Sequence, residues 1–259
     1  MLKSLAGKRI LVTGAHGSIG EGLVPLLVPY AGWVESTDIE SLDVRDTESV
    51  SAALADVKPD VIFHLAGAKH APIGELEPLE TLFTNSLGTA NIIAAAGGAR
   101  VVTASTCKAV NPETAYGASK LLAERMTLNY ENGSVARFHN VVETQGNVFD
   151  LWENDWAGSP TSHYGTYPVT DCWRYFITKD EALSLLLYAA VNPRGLYSFF
   201  GGQPQSMRSI AARLYGAENL RLIPRRRGDR EREPFAHEEE TAVIFDGPIR
   251  KLTGPHAGA

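Results

Sequence analysis

Cysteine is nearly absent. Cys107 and Cys172 are the only two in 259 residues, and their spacing suits neither a metal nor a redox pair. That excludes a disulfide-stapled secreted scaffold, and both are expected as thiols in a reducing cytoplasm. Long hydrophobic runs are missing as well: no segment approaches the roughly 20 apolar residues that a membrane span requires. Residues 1–8 run straight into an expected strand without the apolar core of a signal peptide, so a cytoplasmic chain with no membrane partner is expected. Basic charge is in deficit, with 24 Lys and Arg against 30 Asp and Glu and a net charge of −6. This argues against a general nucleic-acid binder. No internal repeat and no linker is visible. What is present, 44% hydrophobic and 21% charged residues, suits one sizeable core, or a core plus a small lobe.

The first half alternates. A short apolar run over 9–13 reads as a buried strand and is followed by a helix over 19–30 despite Pro25. A strand is expected at 33–35, a helix at 46–57, a strand at 61–64 and a long helix at 78–96. A strand at 100–104, a helix at 114–130 and a strand at 135–138 follow. This rhythm predicts an α/β fold with a doubly wound parallel sheet. Beyond about Asn140 the alternation stops. Residues 143–171, rich in Gly, Trp, Tyr and Thr, read mostly as loops. A helix over 179–191, a strand over 196–200 and a helix over 206–214 precede a charged tail from Pro224, whose Gly/Ala-rich end is expected to be disordered.

Thr13-Gly14-Ala15-His16-Gly17-Ser18-Ile19-Gly20 follows the first strand and opens the first helix. In that context three spaced glycines read as a dinucleotide loop. Gly14 permits the turn, Gly17 lets backbone amides approach a pyrophosphate, and Gly20 allows close helix–sheet packing. His16, Ser18 and Ile19 complete the loop, and the helix N-terminus faces the phosphates. Asp38, eighteen residues after Gly20, is placed to bind a ribose 2′-hydroxyl and to repel a 2′-phosphate. No Arg lies between Trp33 and Leu42, which favours NAD over NADP. The competing role for Asp38 is that of a loop aspartate capping the next helix. Asp43 is a candidate for the adenine amine. Val44, Leu65, Ala66, Gly67 and Asn85 complete the expected cofactor set, and no metal site is expected. The fold expected is thus a Rossmann sheet over 1–140 with a small C-terminal substrate-binding lobe, mostly 141–259, that returns segments to the core.

About ninety residues after the loop, Tyr116-Gly117-Ala118-Ser119-Lys120 sets a phenol and an ammonium one helical turn apart. An ammonium there favours loss of the phenolic proton, and a hydroxyl upstream, Thr106, can orient a substrate alcohol between them. The three side chains suit removal of hydride from a carbinol.

These motifs resemble an extended short-chain dehydrogenase/reductase, and in particular the capsule- and flagellin-glycan branch of nucleotide-sugar 4,6-dehydratases acting on UDP-N-acetylhexosamines. The resemblance rests on Ala68-Lys69-His70-Ala71-Pro72 with Thr84-Asn85-Ser86-Leu87-Gly88-Thr89, on Ser105-Thr106-Cys107-Lys108-Ala109-Val110-Asn111-Pro112, and on Arg137-Phe138-His139-Asn140-Val141. It implies that Tyr116 is the base for oxidation at sugar C4, with Lys120 as its activator and ribose anchor and Thr106 as the orienting hydroxyl. Lys108 is then the C5 base, which must be neutral to act. Cys107 stands where the branch has an acid for the departing 6-hydroxyl, and its protonated thiol is expected to donate. Lys69, His70, Asn140, Arg174, Arg226 and Arg227 are implied as substrate-binding, although His70 equally suits a core histidine and the Arg run a solvated face. His139 replaces a Gly of the branch, and Glu143-Thr144-Gln145-Gly146 departs from its usual block. The reaction expected yields a 4-keto-6-deoxy sugar or a 5,6-ene, from an enzyme that forms a homo-oligomer. A C4 epimerase or oxidoreductase, and a non-catalytic dinucleotide-binding sensor or scaffold, are the alternatives; an intact Thr106, Tyr116 and Lys120 argue against the last.

Overall fold

The computed structural model describes residues 1–69, 71–156, 166–199, 202–225, 229–238, 240–246 and 249–254. Strands β1 (Arg9–Thr13), β2 (Trp33–Thr37), β3 (Val61–His64), β4 (Arg100–Thr106), β5 (Gly133–Phe138) and, later, a strand at Gly195–Phe199 all run parallel. Helices α1 (Gly20–Leu27), α2 (Thr47–Val57), α3 (Ala71–Leu76), α4 (Pro78–Leu82), α5 (Gly88–Ala95) and α6 (Ala115–Asn129) connect the first five strands.

Side-chain alternation assigns each helix to a face of the sheet. On β1, Ile10 and Val12 pack with Leu23 and Leu27 of α1 and with Leu185 and Leu186 further along the chain. Leu11, pointing the other way, packs with Val50 and Leu54 of α2 and Ile92 of α5. The strands have helices on both faces, which explains their continuous apolar runs. The helices start where the sequence offers caps: the Asp46 side chain accepts from Glu48 N and Ser49 N, and Thr114 from Gly117 N.

The second half holds β6 (Asn140–Val141), α7 (Val148–Trp156), β7 (Tyr167–Thr170), β8 (Trp173–Arg174), β9 (Phe176–Ile177), α8 (Lys179–Val191), β10 (Gly195–Phe199), β11 (Gln205–Ser206), α9 (Met207–Tyr215), β12 (Leu220–Ile223), β13 (Thr241–Asp246) and β14 (Ile249–Thr253). The main sheet reads β13-β14-β10-β5-β4-β3-β1-β2, with β13 and β14 antiparallel. A second apolar cluster joins Trp152, Tyr167, Val169, Met207 and Ile210.

Three expectations are corrected. The stretch 143–171, expected mostly as loops, contains α7 and β7, because Phe149 and Trp152 give the helix an aromatic inner face against Phe176 and Tyr215. The long helix over 78–96 is interrupted by a π turn at Phe83–Leu87, which turns the Asn85 side chain inward. The charged tail supplies β13 and β14, whose hairpin extends the sheet at β10; the Gly/Ala-rich residues 255–259 lie outside the described residues. Cys107 and Cys172 are both buried free thiols. Among the described residues no helix is long and apolar enough to cross a membrane.

A buried charge network ties the tail to the core. Arg137 on β5 donates to Glu124 of α6 through Nε (2.9 Å) and Nη2 (2.7 Å), and to Glu240 through Nη1 (2.7 Å). The Ser105 hydroxyl donates to Glu124 as well, at 2.7 Å. All three charged side chains are at most 1% exposed. Removing one partner from such a network leaves a buried charge short of its compensation. We therefore expect Glu240→Ala to cost roughly 3 kcal/mol in urea unfolding, against less than about 1 kcal/mol for Lys8→Ala in the exposed Lys8–Asp60 pair. Equal effects of the two changes would disprove this ranking.

Candidate active site

The glycine loop is closed by sterics. Gly14 has φ +69°, and a Cβ there would lie 2.6 Å from Ala66 N. A Cβ at Gly20 would lie 2.5 Å from the carbonyl oxygens of both Gly14 and Ala15, whereas one at Gly17 would meet only Gly14 O, at 3.3 Å. The loop thus packs against Ala66 on one side and is tight under α1, and Gly17 is its least enclosed glycine. This shape fits a dinucleotide pyrophosphate. Asp38, at the end of β2, accepts from His16 N at 2.8 Å and from Ile39 N at 2.8 Å, so it braces the loop. His16, Asp38 and Glu40 bring one ligand atom each within 4.8 Å of one another, but they lie near the surface and both Asp38 oxygens already accept backbone amides. The Ser18 hydroxyl accepts from Gln145 N at 3.0 Å, which joins the loop to the second half of the chain.

Arg45 holds Asp43 through Nε to Oδ1 (2.8 Å) and Nη2 to Oδ2 (2.6 Å) and keeps its carboxyl below the usual range. The same guanidinium reaches Glu80 Oε1 at 2.5 Å. The Asp43 carboxylate is thereby fixed as an anion with its remaining acceptor sites partly exposed. Val44 is buried beneath α5, where a Cβ at Gly88 would meet its Cγ2 at 2.7 Å.

Leu65, Ala66 and Gly67 follow β3 and cross the loop, with Leu65 N bonded to Thr13 O at 3.1 Å. Beneath them His64 bridges the Thr13 and Thr89 hydroxyls at 2.8 and 3.1 Å, and burial pushes its ring down to about 3, leaving it neutral. Asn85, turned in by the π turn, accepts from Ala68 N (2.8 Å) and donates to Ala68 O (3.0 Å) and Ser119 Oγ (2.9 Å). A Cβ at Gly67 would lie 2.8 Å from Asn85 Oδ1 and 3.8 Å from Lys120 Nζ. Lys120 therefore faces the cofactor side, and burial lowers its ammonium to about 8.

On the substrate side, Thr106 ends β4 with its hydroxyl beside the Tyr116 phenol. Burial raises the phenol, and the cation that opposes the rise is Lys108, with the Thr106 hydroxyl also favouring the phenolate. Lys120 Nζ lies near Gly67, and Lys108 is the cation with the largest effect on the phenol. Gly117 makes this possible, since any Cβ there would run into Lys108 O.

Lys108 also departs from expectation. Its Nζ lies 2.9 Å from Glu233 Oε1 and donates to Asn140 Oδ1 at 3.0 Å. Burial favours the neutral amine, but the Glu233 carboxylate outweighs it and holds Lys108 as an ammonium, above the usual lysine range. Cys107 is fully buried, donates to Glu233 Oε2 at 3.3 Å, and is pushed up to about 12 by burial and by that carboxylate. Burial alone would raise Glu233, yet Lys108 and Arg174 pull it down to about 2. Arg174 Nε stands 3.4 Å from Glu233 Oε1, and Asn140 Nδ2 donates to Oε2 at 2.7 Å.

Cys107, Lys108, Arg174, Asp229, Arg230 and Glu233 line one cleft, together with Ala71, Pro72, Glu113 and Thr114. Asn140 and Arg174 thus join the site. Lys69 does not line it; its Nζ donates to Gln145 O at 3.1 Å. His70, Arg226 and Arg227 lie outside the described residues. Sequence reasoning missed Glu233, the centre of the cluster. It sits in a charged run, 125 residues from Lys108, with no spacing signal to mark it. His139, which replaces a small residue of the resembled branch, stacks between Tyr175 and Phe235 at 5.0 and 5.4 Å, and burial pushes it down to about 4.

Residues 35–244 match the family described as "Polysaccharide biosynthesis protein", and the chain belongs to it. It is similar to an uncharacterized membrane protein of Methanocaldococcus jannaschii, 36% identical over 220 residues, covering 73% of this chain and 64% of that one. A UDP-N-acetylglucosamine 4,6-dehydratase (inverting) of Campylobacter jejuni subsp. jejuni is 27% identical over 275 aligned residues, covering 93% and 80%. The structure of Pen from Bacillus thuringiensis superposes with a TM-score of 0.81 at 24% identity, covering 98% of this chain and 90% of that one, and shows the same fold. The chain spans less than two thirds of the length of the Methanocaldococcus relative.

Proposed function

We propose that this chain is an NAD-dependent nucleotide-sugar dehydratase acting on a UDP-N-acetylhexosamine. The observation that carries the reading is one continuous path. The glycine loop packs on Ala66, Gly67 beside it faces Lys120, and Tyr116 of the same helix joins Thr106 at a cleft holding Lys108, Cys107 and Glu233. The similarity to the Campylobacter 4,6-dehydratase supports the substrate class. The segments 140–177 and 205–238, which pack as their own apolar cluster and bring Asn140, Arg174 and Glu233 to the cleft, are the substrate-binding lobe.

NAD, when bound, takes a hydride from a carbinol carbon and returns it later. The chain's own groups do the rest. Tyr116, as phenolate, takes the proton of the sugar 4-hydroxyl, and Thr106, beside the same phenol, orients that hydroxyl. Lys120 holds the ribose side from its place under Gly67. The C4 carbonyl then acidifies C5–H, and Lys108, once deprotonated, removes that proton. The 6-hydroxyl leaves as water on the side of the Cys107 thiol, taking up the proton that Lys108 removed from C5, so Lys108 returns to the free amine. Arg174 and Arg230 supply cations for a diphosphate. The product is the 4-keto-6-deoxy sugar or the 5,6-ene.

Self-association completes the reading. Leu79, Leu82, Phe83 and Leu87 expose one stripe along α4 and the π turn, beside exposed Leu76 and Leu122. Such a patch marks a contact surface. Light scattering should give a mass of two or more chains, and Leu79→Glu with Phe83→Glu should reduce it; a monomeric unmodified protein overturns this point.

Incubation with NAD and UDP-N-acetylglucosamine should yield, by mass spectrometry, a sugar nucleotide lighter by one water. Tyr116→Phe should slow this by at least about a hundredfold. A product of unchanged mass but altered retention identifies an epimerase, and no product a binding protein; either result overturns the dehydratase.

Cofactor choice gives a separate check. Asp38→Ala should narrow the preference for NAD over NADP in binding titrations, since the carboxylate that repels a 2′-phosphate is gone. Tighter NADP binding by the unmodified protein contradicts the assignment.

A further inference from the structure

We infer that Glu233 is a positioning residue that fixes the charge of Lys108, and that the floor of the cleft has room for a single carboxylate, which reaches it from residue 233 and not from residue 107. Position 107, at the end of β4, and position 233, from the tail, converge on one point: Cys107 Sγ is 3.3 Å from Glu233 Oε2. Four donors around that point reach Glu233. Lys108 Nζ and Arg174 Nε take Oε1, at 2.9 and 3.4 Å, while Asn140 Nδ2 and the Cys107 thiol take Oε2. Glu233 is 6% exposed, so its charge depends on these partners and not on water.

The groups facing Lys108 are few. Its own turn brings Cys107, and α6 brings Tyr116. The segment after β5 brings Asn140 as a hydrogen-bond partner and His139 within electrostatic reach. Beyond Glu233 lies Arg174, which is shared with Asp229 at 4.0 Å. Glu233 is the one carboxylate in contact with Lys108 among the described residues. A second carboxylate at position 107 would face Glu233 at close to hydrogen-bond distance, where two like charges do not both ionise. A thiol fits the same place, because it stays protonated and donates.

The consequence for turnover rests on the dehydratase reading: Lys108 must give up its proton before it can take one from C5, so Glu233 sets the pH at which that step is possible. The protonation itself can be measured without substrate. Acylation of Lys108 by acetic anhydride, read peptide by peptide in a mass spectrometer across a pH series, reports the free amine. Glu233→Gln should move the Lys108 midpoint down by at least about one pH unit, roughly tenfold more labelling at a fixed pH below the midpoint. Glu233→Asp, which keeps the charge, should stay close to the unmodified protein. An unchanged midpoint in Glu233→Gln overturns the inference.

Cys107→Asp tests the single-carboxylate rule by stability and stands even if Glu233→Gln does not fold. With Glu233 present, the new carboxyl has a raised pKa in the folded state. Its protonated form is tolerated at low pH, and stability is lost as pH rises through that folded value. The drop in Tm should therefore be larger at pH 8 than at pH 5, and Cys107→Asp combined with Glu233→Gln should remove the difference. Equal drops at both pH values, or no relief in the double variant, refute the rule. A lack of reaction with any nucleotide sugar would instead count against the dehydratase reading and leave these two measurements standing.

Discussion

One buried guanidinium organises this molecule. Arg137 sits in the middle of β5 with its fork divided between Glu124 of α6 and Glu240 of the tail, and Ser105 at the end of β4 adds its hydroxyl to Glu124. A charge this deep persists only if every donor is answered, so its partners cannot drift. α6 carries Tyr116 and Lys120, β4 delivers Thr106, Cys107 and Lys108, and the segment leading to Glu240 carries Glu233. The same side chain that stabilises the sheet therefore sets the relative position of the three chain segments that make the cleft.

Electrostatics in the cleft follows from that placement. Lys108, Arg174 and Glu233 form a compact set in which burial alone would neutralise Lys108 and Glu233 and the close opposite charges prevent it. Cys107 is the exception, since burial and the Glu233 carboxylate outweigh what Lys108 gives a thiolate, and it stays a thiol. Lys108 partly offsets the cost that burial puts on ionising Tyr116, and the cleft's cations Lys108, Arg174 and Arg230 stand against the carboxylates Glu113, Asp229 and Glu233. A second buried group, His64, is kept neutral by the same logic, and it acts as a hydroxyl-to-hydroxyl bridge that locks the glycine loop's strand to α5.

Much of this was legible in the chain itself. The parallel core could be read because fully buried strands have apolar runs and their helices have polar caps, both local properties. The glycine loop and Tyr116-x-x-x-Lys120 could be read because turn sterics and helical spacing are also local. The helix α7 was hidden by its composition: Phe149 and Trp152 are apolar only in relation to Phe176 and Tyr215, which lie elsewhere in the sequence. The hairpin of β13 and β14 was hidden for a related reason, since an edge pair in a charged tail gains its strands from β10 and not from its own pattern.

The sequence by itself determined the sheet, the cofactor loop and the residues Thr106, Tyr116 and Lys120, because each depends on backbone geometry or on neighbours a turn away. Tertiary structure decided the charges. That Lys120 lies near Gly67, that Asp43 is held by Arg45, and that Lys108 is paired with Glu233 all depend on tertiary contacts. A side chain's protonation is set by the distance to opposite charge and the loss of water, and neither quantity exists until the segments 100–120 and 229–240 have been brought together.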